Sequence, residues 1–120
     1  MLPARNRMRR SAEFGFAVRS GVRAAQPDLV VHAERQTDSA AGDSPQIGLI
    51  VTKSVGGAVD RHRVARKLRH AAWAVLADLD PADRIVIRAL PGSRDASFSR
   101  LEQQLRAGVR RASNLLARAT

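Results

Sequence analysis

A run of cationic side chains lies at the start of a predicted helix, in the stretch KSVGGAVDRHRVARKLRHAAW from Lys53 to Trp73. It contains four arginines, two lysines and two histidines, with Asp60 as its single acid. The amino end of a helix is already electropositive, so a cation there costs about 0.3–1 kcal/mol. Free backbone N–H groups, the Gly56–Gly57 pair and the arginines instead form a strong anion site, and phosphate is the anion that best explains it.

The helical spacing of this stretch separates two faces. If residues 59–79 are helical, the apolar residues fall within about a third of the circumference. These residues predict the buried face: Val64, Leu68, Ala71, Ala72, Val75 and Leu79. The opposite side carries His62, Arg66, Arg69, His70 and Trp73. Charge runs are often only solvated faces, but solvated faces mix signs and this one is nearly pure cation. We therefore interpret it as a surface that binds a polyanion.

Patterns for other chemistry are weak or absent. The histidines show no HxxxH or HExxH spacing, and KSVGG lacks the residue order of a phosphate-binding P-loop. The sequence has no cysteine, which excludes disulfides, thiolate zinc sites and cysteine nucleophiles. No close carboxylate pair suggests a metal-dependent nuclease site.

Composition favours one domain over residues 1–120 with a polyanionic partner. The net charge is +10 and the pI is about 11.8. Cationic blocks at 1–23, 52–70 and 100–118 alternate with acidic blocks at 28–46 and 78–95. The amino terminus has no apolar signal region, and the longest apolar run is much shorter than the ~20 residues of a membrane span. We expect a soluble cytoplasmic protein with no membrane partner.

The periodicities predict an α+β fold, with one four-stranded sheet packed with helices. Ser11–Gly21 favours a short helix, and β-branched runs predict strands at 28–35, 46–53 and 83–90, with a short extra strand at 22–26. A capping box of Ser99 and Glu102 begins the last helix, whose apolar stripe is Leu101, Leu105, Val109, Ala112 and Leu116. We expect a mobile loop at 36–45 and flexibility at 1–8.

The predicted element order is therefore α-β-β-β-α-β-α. The chain from strand 46–53 through the basic helix to strand 83–90 would be a crossover if these strands are parallel. Physical preference alone would make such a crossover right-handed.

Three stretches carry a resemblance to a known family: ARNRMRRSAEF, IGLIVTKSVGGAVDRHRVARKLRHA and DRIVIRALPGS. In order and spacing they resemble the protein subunit of bacterial ribonuclease P, and the actinobacterial members in particular. The resemblance implies a four-stranded sheet with three helices and a left-handed crossover. It implies an endonuclease that removes the 5′ leader of precursor tRNA by hydrolysing a phosphodiester bond. The RNA subunit would supply the active site and Mg²⁺, so the protein would contribute no catalytic residue and bind no metal or cofactor alone.

The resemblance also assigns site residues by position. The surface that binds ribonuclease P RNA would comprise Lys53, Arg61, His62, Arg63, Arg66 and Arg69. A second RNA-binding group at the amino terminus would comprise Arg5, Asn6, Arg7, Arg9 and Arg10. A cleft for the single-stranded leader of precursor tRNA would be formed by Phe14, Phe16, Val18, Val31 and His32. His62 replaces an asparagine common in the family, and Val18 and His32 replace aromatics. Phe14, four residues before Val18, fits a core position equally well.

Two other classes of function remain open at this point. The chain could be a non-catalytic RNA-binding module, such as a ribosome-assembly protein. A DNA-binding helix-turn-helix would need a second helix soon after the first, where a strand is predicted instead. A membrane-surface helix would need a bulky exposed apolar face, whereas this one is rich in alanine. The sequence leaves the oligomeric state open.

Overall fold

The computed structural model describes residues 2–8, 21–35 and 44–118, and these form four strands and two long helices. The elements are β1 (Val22–Ala25), β2 (Leu29–Arg35), β3 (Gln46–Ile50), α1 (Ala58–Val75), β4 (Asp83–Ala89) and α2 (Phe98–Arg118). Short 3-10 helices span Ala4–Asn6, Leu76–Asp78 and Pro91–Asp95. The α+β class with a four-stranded sheet is confirmed. Residues 11–20 of the helix expected at Ser11–Gly21 and most of the loop at 36–45 lie outside the described residues, so two of the three predicted helices are described.

The sheet is mixed, with strand order β1-β2-β4-β3. β2 pairs antiparallel with both β1 and β4, whereas β3 pairs parallel with β4. Neighbouring parallel strands need a crossover connection, and α1 supplies it here. The crossover is thus confirmed, and its left-handed sense stays a prediction from the resemblance.

The strand register gives the sheet two different faces, because successive side chains point to opposite sides. Val31 lies opposite Ile87 of β4 on the face that receives the helices. Gly108 of α2 sits directly over it: a Cβ at this position would lie 2.6 Å from Val31 Cγ2. A glycine is therefore required for the helix to approach the sheet this closely. The alternate residues of β2, including His32, belong to the second face.

The core is aliphatic and lies between the helices and the first sheet face. The predicted apolar residues of α1 are all buried: Val64, Leu68, Ala71, Ala72 and Val75. Leu79 is also buried, although it follows the helix and the 3-10 turn. The predicted stripe of α2 is confirmed by burial of Leu101, Leu105, Val109 and Ala112, with Leu116 packed against them. The apolar faces predicted for α1 and α2 are therefore the faces that pack in the core.

Two predicted boundaries are wrong. β3 ends at Ile50, and Lys53 lies beyond it in a turn in which the Gly56 N–H donates to the Lys53 carbonyl at 3.2 Å. The cap of α2 is Ser97, whose Oγ accepts a hydrogen bond from the Arg100 N–H at 3.1 Å. Ser99 is already inside the first turn, so the predicted capping box does not form. The preceding 3-10 helix sets where α2 can begin, and helical spacing alone does not reveal this.

A buried polar network ties the start of β2 to the start of α2. Asp28 Oδ2 accepts hydrogen bonds from Arg100 Nε and Gln104 Nε2, both at 2.7 Å. Gln104 Oε1 in return accepts the Asp28 N–H at 2.8 Å. Burial of Asp28 raises its pKa, but the hydrogen bonds from Gln104 and Arg100 and the charge of Arg100 outweigh burial, so the pKa is lowered. The ionised form of Asp28 therefore stabilises the fold.

We expect Asp28→Asn to lower the free energy of unfolding by about 1–2 kcal/mol at pH 7, because a charge-assisted hydrogen bond is lost. A lowered folded pKa gives stability that is present above the unfolded pKa of about 3.9 and is lost as pH falls through the folded value. The variant should therefore lose less stability than the parent when urea unfolding is followed from pH 5 to pH 2. Asp95→Asn is the control, because Asp95 is exposed and lies 3.8 Å from Arg94. Parallel pH profiles for Asp28→Asn and the parent would contradict this role.

Candidate nucleic-acid interface

The outer face of α1 presents cationic side chains to solvent. His62, Arg63 and Arg66 are exposed, as is His70 one turn further on. Arg61 and Arg69 are half-buried at the margins of this face. The opposite side of the same helix is buried in the core, which fixes the position of α1 on the sheet. We call His62, Arg63, Arg66, Arg69 and His70 the α1 ridge.

Among the described residues, the cations of the α1 ridge have no carboxylate partner. Within residues 2–8, 21–35 and 44–118, no ion pair involves Lys53, Arg61, Arg63, Arg66 or Arg69. Arg61 Nε is buried without a hydrogen-bond partner in this part of the chain. By contrast, Lys67 Nζ donates to the Ala96 carbonyl at 3.1 Å and ties the helix to the following segment. The ridge therefore retains its charge for an external anion.

The amino end of α1 adds backbone donors to this surface. Its N-cap is Gly57, which provides no side-chain cap for the first N–H groups. Gly56 has φ of 153°, a conformation that favours glycine, and a Cβ there would lie 2.8 Å from Asp60 Oδ2. Lys53 is exposed in the turn just before. Together these features create positive potential where the helix dipole already favours an anion.

The amino-terminal segment lies along the outer edge of the sheet, beside β3. The Met8 N–H donates to the Ile47 carbonyl at 2.9 Å, and Arg7 forms a parallel bridge with Ile47. This placement brings Arg7 and Arg69 to one cavity of about 170 Å³, together with Leu2. Two groups that are 62 positions apart in the sequence thus join into one cationic surface.

The predicted amino-terminal residues have different surroundings. Arg5 is exposed, and Arg7 is half-buried with Nε donating to the Leu2 carbonyl at 3.2 Å. Asn6 is 4% exposed, and its amide donates to the Pro45 carbonyl at 2.8 Å. The side chain of Asn6 is therefore structural, because it anchors the segment to the start of β3, and we remove it from the RNA-binding set. Arg9 and Arg10 lie outside the described residues.

The two cleft residues predicted on β2 lie on opposite faces of the sheet. Val31 is fully buried against α2, so its side chain has no surface to offer a nucleic acid, and we remove it from the cleft. His32 lies on the second face, 5% exposed, and its ring nitrogens have no hydrogen-bond partner among the described residues. Burial lowers the pKa of His32, and the charges of Arg23 and Arg88 lower it further. Phe14, Phe16 and Val18 lie outside the described residues.

Comparison with known proteins decides the family. The ribonuclease P family model matches residues 2–113. The chain belongs to the ribonuclease P protein family. The ribonuclease P protein component of Mycobacterium ulcerans is 62% identical over 112 residues, 93% of each chain. That of Mycolicibacterium vanbaalenii is 63% identical over 111 residues, 92% of each chain.

Solved structures of ribonuclease P proteins share the fold. The Staphylococcus aureus RNase P protein superimposes with a TM-score of 0.78 at 21% identity, covering 89% of this chain and 94% of that one. The Thermotoga maritima protein gives 0.69 at 19% identity, covering 93% and 96%. Family membership makes this chain the protein subunit of the endoribonuclease ribonuclease P, with a role in tRNA processing.

Sequence reasoning missed two arginines of the ribonuclease P fold. Arg23 is the register partner of His32 on β1, and Arg88 follows Val86, the register partner of His32 on β4, by two residues. Both arginines are exposed. They make the second sheet face cationic around His32. Strand alternation would have placed each residue on a face, but the pairing of β2 with β1 and β4 was needed to bring them together.

Other features of the described ribonuclease P fold contribute no predicted site residue. A cavity of about 270 Å³ between the end of α1 and α2 is lined by Val75, Asp78, Arg106, Val109, Arg110, Ser113 and Asn114. Within the described ranges, no cluster of three or more His, Asp or Glu residues could hold a metal ion. Neither α1, α2 nor any shorter helix in those ranges is both long and apolar enough to cross a bilayer.

Proposed function

We propose that the protein binds ribonuclease P RNA through the α1 ridge, with Lys53, Arg61 and Arg7 extending the contact. The observation that supports this is the face of exposed cations on a helix whose other face is packed, with no carboxylate paired to them among the described residues. Arginine suits such a surface because its planar, forked donors match phosphate geometry. Each phosphate neutralised also releases counterions, which favours binding.

The second sheet face is the proposed site of the precursor tRNA leader. Arg23 and Arg88 flank His32 there, and the lowered pKa of His32 keeps its imidazole neutral near pH 7. The ring nitrogens of His32 are themselves buried, so the groups that this face offers to a nucleic acid are the exposed guanidinium groups of Arg23 and Arg88. The arginines would hold the backbone of a single strand. The proposed leader contacts also include Phe14, Phe16 and Val18.

The protein's contribution to hydrolysis is positional and electrostatic. We place the catalytic groups and Mg²⁺ in the RNA subunit, as the resemblance to the family implies. Cations of the protein lower the repulsion between two RNA molecules and hold the substrate in a productive orientation. We assign this work to the cytoplasm, where precursor tRNA is made.

Turnover of precursor tRNA by the cognate RNA subunit tests this function. At low Mg²⁺, we expect addition of the protein to raise kcat/KM, because protein cations then replace part of the screening that Mg²⁺ provides. The gain should shrink as Mg²⁺ rises. The control is competition by mature-length tRNA, which lacks the leader. This tRNA should bind more weakly than precursor tRNA. No gain at any Mg²⁺ concentration would favour a non-catalytic RNA-binding module instead.

A further inference from the structure

The aromatic side chains in the described residues are surface groups. Trp73 of α1 is 52% exposed and Phe98 of α2 is 39% exposed, while the core described above is aliphatic. Single exposed apolar residues need no special explanation. Trp73 differs because of its surroundings, since it lies at the carboxyl-terminal end of the α1 ridge.

Helix geometry aligns Trp73 with the cations. Trp73 follows Arg66 by seven residues, so the two side chains point within about 20° of one another and lie about 10 Å apart along the axis. Arg69 and His70 precede Trp73 by four and three residues, which makes them its neighbours on the helix surface. The large ring therefore continues the row of cations instead of covering the core.

We propose that Trp73 stacks on an unpaired base of ribonuclease P RNA and so anchors the end of the α1 ridge. This inference rests on the proposed function of the ridge. Phosphate contacts from the arginines fix where the strand runs but recognise no base. An indole ring adds a contact with a base face, and such faces are accessible where RNA is unpaired, since a duplex hides them.

Charge complementarity favours RNA over a protein partner at Trp73. A second copy of this chain would bring its own α1 ridge against the first, and the net charge of +10 on each copy would oppose this. RNA combines a negative backbone with flat aromatic faces, and the cations and ring of this surface match both.

The fluorescence of Trp73 reports directly on the proposal, because the sequence has one tryptophan and no tyrosine. On titration with ribonuclease P RNA at 0.15 M salt, we expect the emission to be quenched and acrylamide quenching of the remaining emission to fall. Both changes should saturate at one protein per RNA. The protein alone should remain monomeric in sedimentation at the same concentrations.

Substitutions separate stacking from simple apolar contact. Trp73→Ala should weaken Kd for the RNA by about 5- to 150-fold, the range for one stacked base. Trp73→Leu keeps a bulky apolar group without a ring and should be nearly as weak, whereas Trp73→Phe should retain affinity within about tenfold. Phe98→Ala is the matched control, because it removes an exposed aromatic from α2 and should leave Kd unchanged.

Other results would overturn the stacking proposal in distinguishable ways. The double variant Arg63→Ala, Arg66→Ala could weaken RNA binding while Trp73→Ala leaves Kd unchanged and RNA leaves the Trp73 emission unchanged. In that case the ridge binds RNA and the stacking proposal is wrong. Equal affinity of the Trp73→Leu variant and the parent would reduce Trp73 to an apolar contact. RNA-independent dimers that disappear in Trp73→Ala would instead assign the ring to self-association. If neither the arginines nor Trp73 affect binding, the proposed function of the ridge fails as well.

Discussion

Replacing Arg63 and Arg66 together with alanine is expected to weaken binding of ribonuclease P RNA about a hundredfold. Each side chain is exposed and without a carboxylate partner in the described part of the chain, so each is available to a phosphate. A hydrogen bond that involves a charged group contributes about 1.5–3 kcal/mol, and about 1.4 kcal/mol is a tenfold change in Kd. Filter binding or anisotropy at several salt concentrations would measure both Kd and its salt slope.

The salt slope identifies the cause of the lost affinity. If the α1 surface neutralises about five phosphates, log K should fall with log salt with a slope of about −4, and each lost contact should reduce this slope by about 0.7–0.9. Arg110→Ala with Arg111→Ala is the matched control, because it removes the same charge from exposed positions of α2. Equal losses in the two double variants would mean that net charge, and not the ridge, binds the RNA. A parental affinity independent of salt would contradict the electrostatic mechanism altogether.

The fold itself should tolerate the changes at Arg63 and Arg66. Alanine has a higher helix propensity than arginine, and both arginine side chains are exposed, so their truncation leaves no cavity. We therefore expect the free energy of unfolding to stay within about 0.5 kcal/mol of the parent, as for other surface substitutions. Loss of RNA binding would then reflect a change in the interface alone.

Leu68→Ala is expected to have the opposite effect on the same helix. Leu68 lies on the inner face of α1, and its side chain is fully buried in the hydrophobic core. Truncation of such a leucine removes apolar burial and leaves a cavity, which costs about 2–5 kcal/mol. Urea denaturation followed by far-ultraviolet circular dichroism would show this as a lower midpoint. Under conditions where the variant stays folded, its affinity for the RNA should match that of the parent.

Val59→Ala is the control for Leu68→Ala. Val59 lies in the same helix but is 72% exposed, so its truncation should change stability by less than about 0.5 kcal/mol. If instead Leu68→Ala were nearly neutral and the arginine variants unfolded the protein, the two faces of α1 would have been assigned in reverse.

Local sequence patterns predicted much of the architecture. The two faces of α1 and the stripe of α2 follow from helical spacing, because residues three and four apart share a side whatever the rest of the chain does. The strands at β2, β3 and β4 were found from runs of β-branched residues, and their ends were wrong by up to three residues. The turn after β3 explains the largest of these errors, since the Val55 N–H donates to the Thr52 carbonyl and the Gly56 N–H donates to the Lys53 carbonyl, so this segment turns and does not continue the strand.

Site residues that depend on tertiary contacts could not be assigned in this way. Adjacent residues Val31 and His32 were both placed in the leader cleft, yet one is core and the other belongs to the second face. Asn6 was grouped with its arginine neighbours, but its amide is bound to Pro45. Arg23 and Arg88 were not predicted at all, because nothing near them in the sequence marks their approach to His32.

The sequence by itself determined the excess of positive charge, the amphipathic character of the basic helix, the α+β class and, through motif resemblance, the family. Only the tertiary structure decided the strand order and which side chains of each strand face the helices. It also decided that Arg7 and Arg69 line the same cavity. The physical reason is range: helix periodicity and charge are properties of neighbouring residues, whereas strand pairing and side-chain burial depend on segments far apart in the chain. A shift of one residue in the register of a strand reverses which side chains face the core. The residues of a cleft can therefore be assigned only when the pairing of its strands is known.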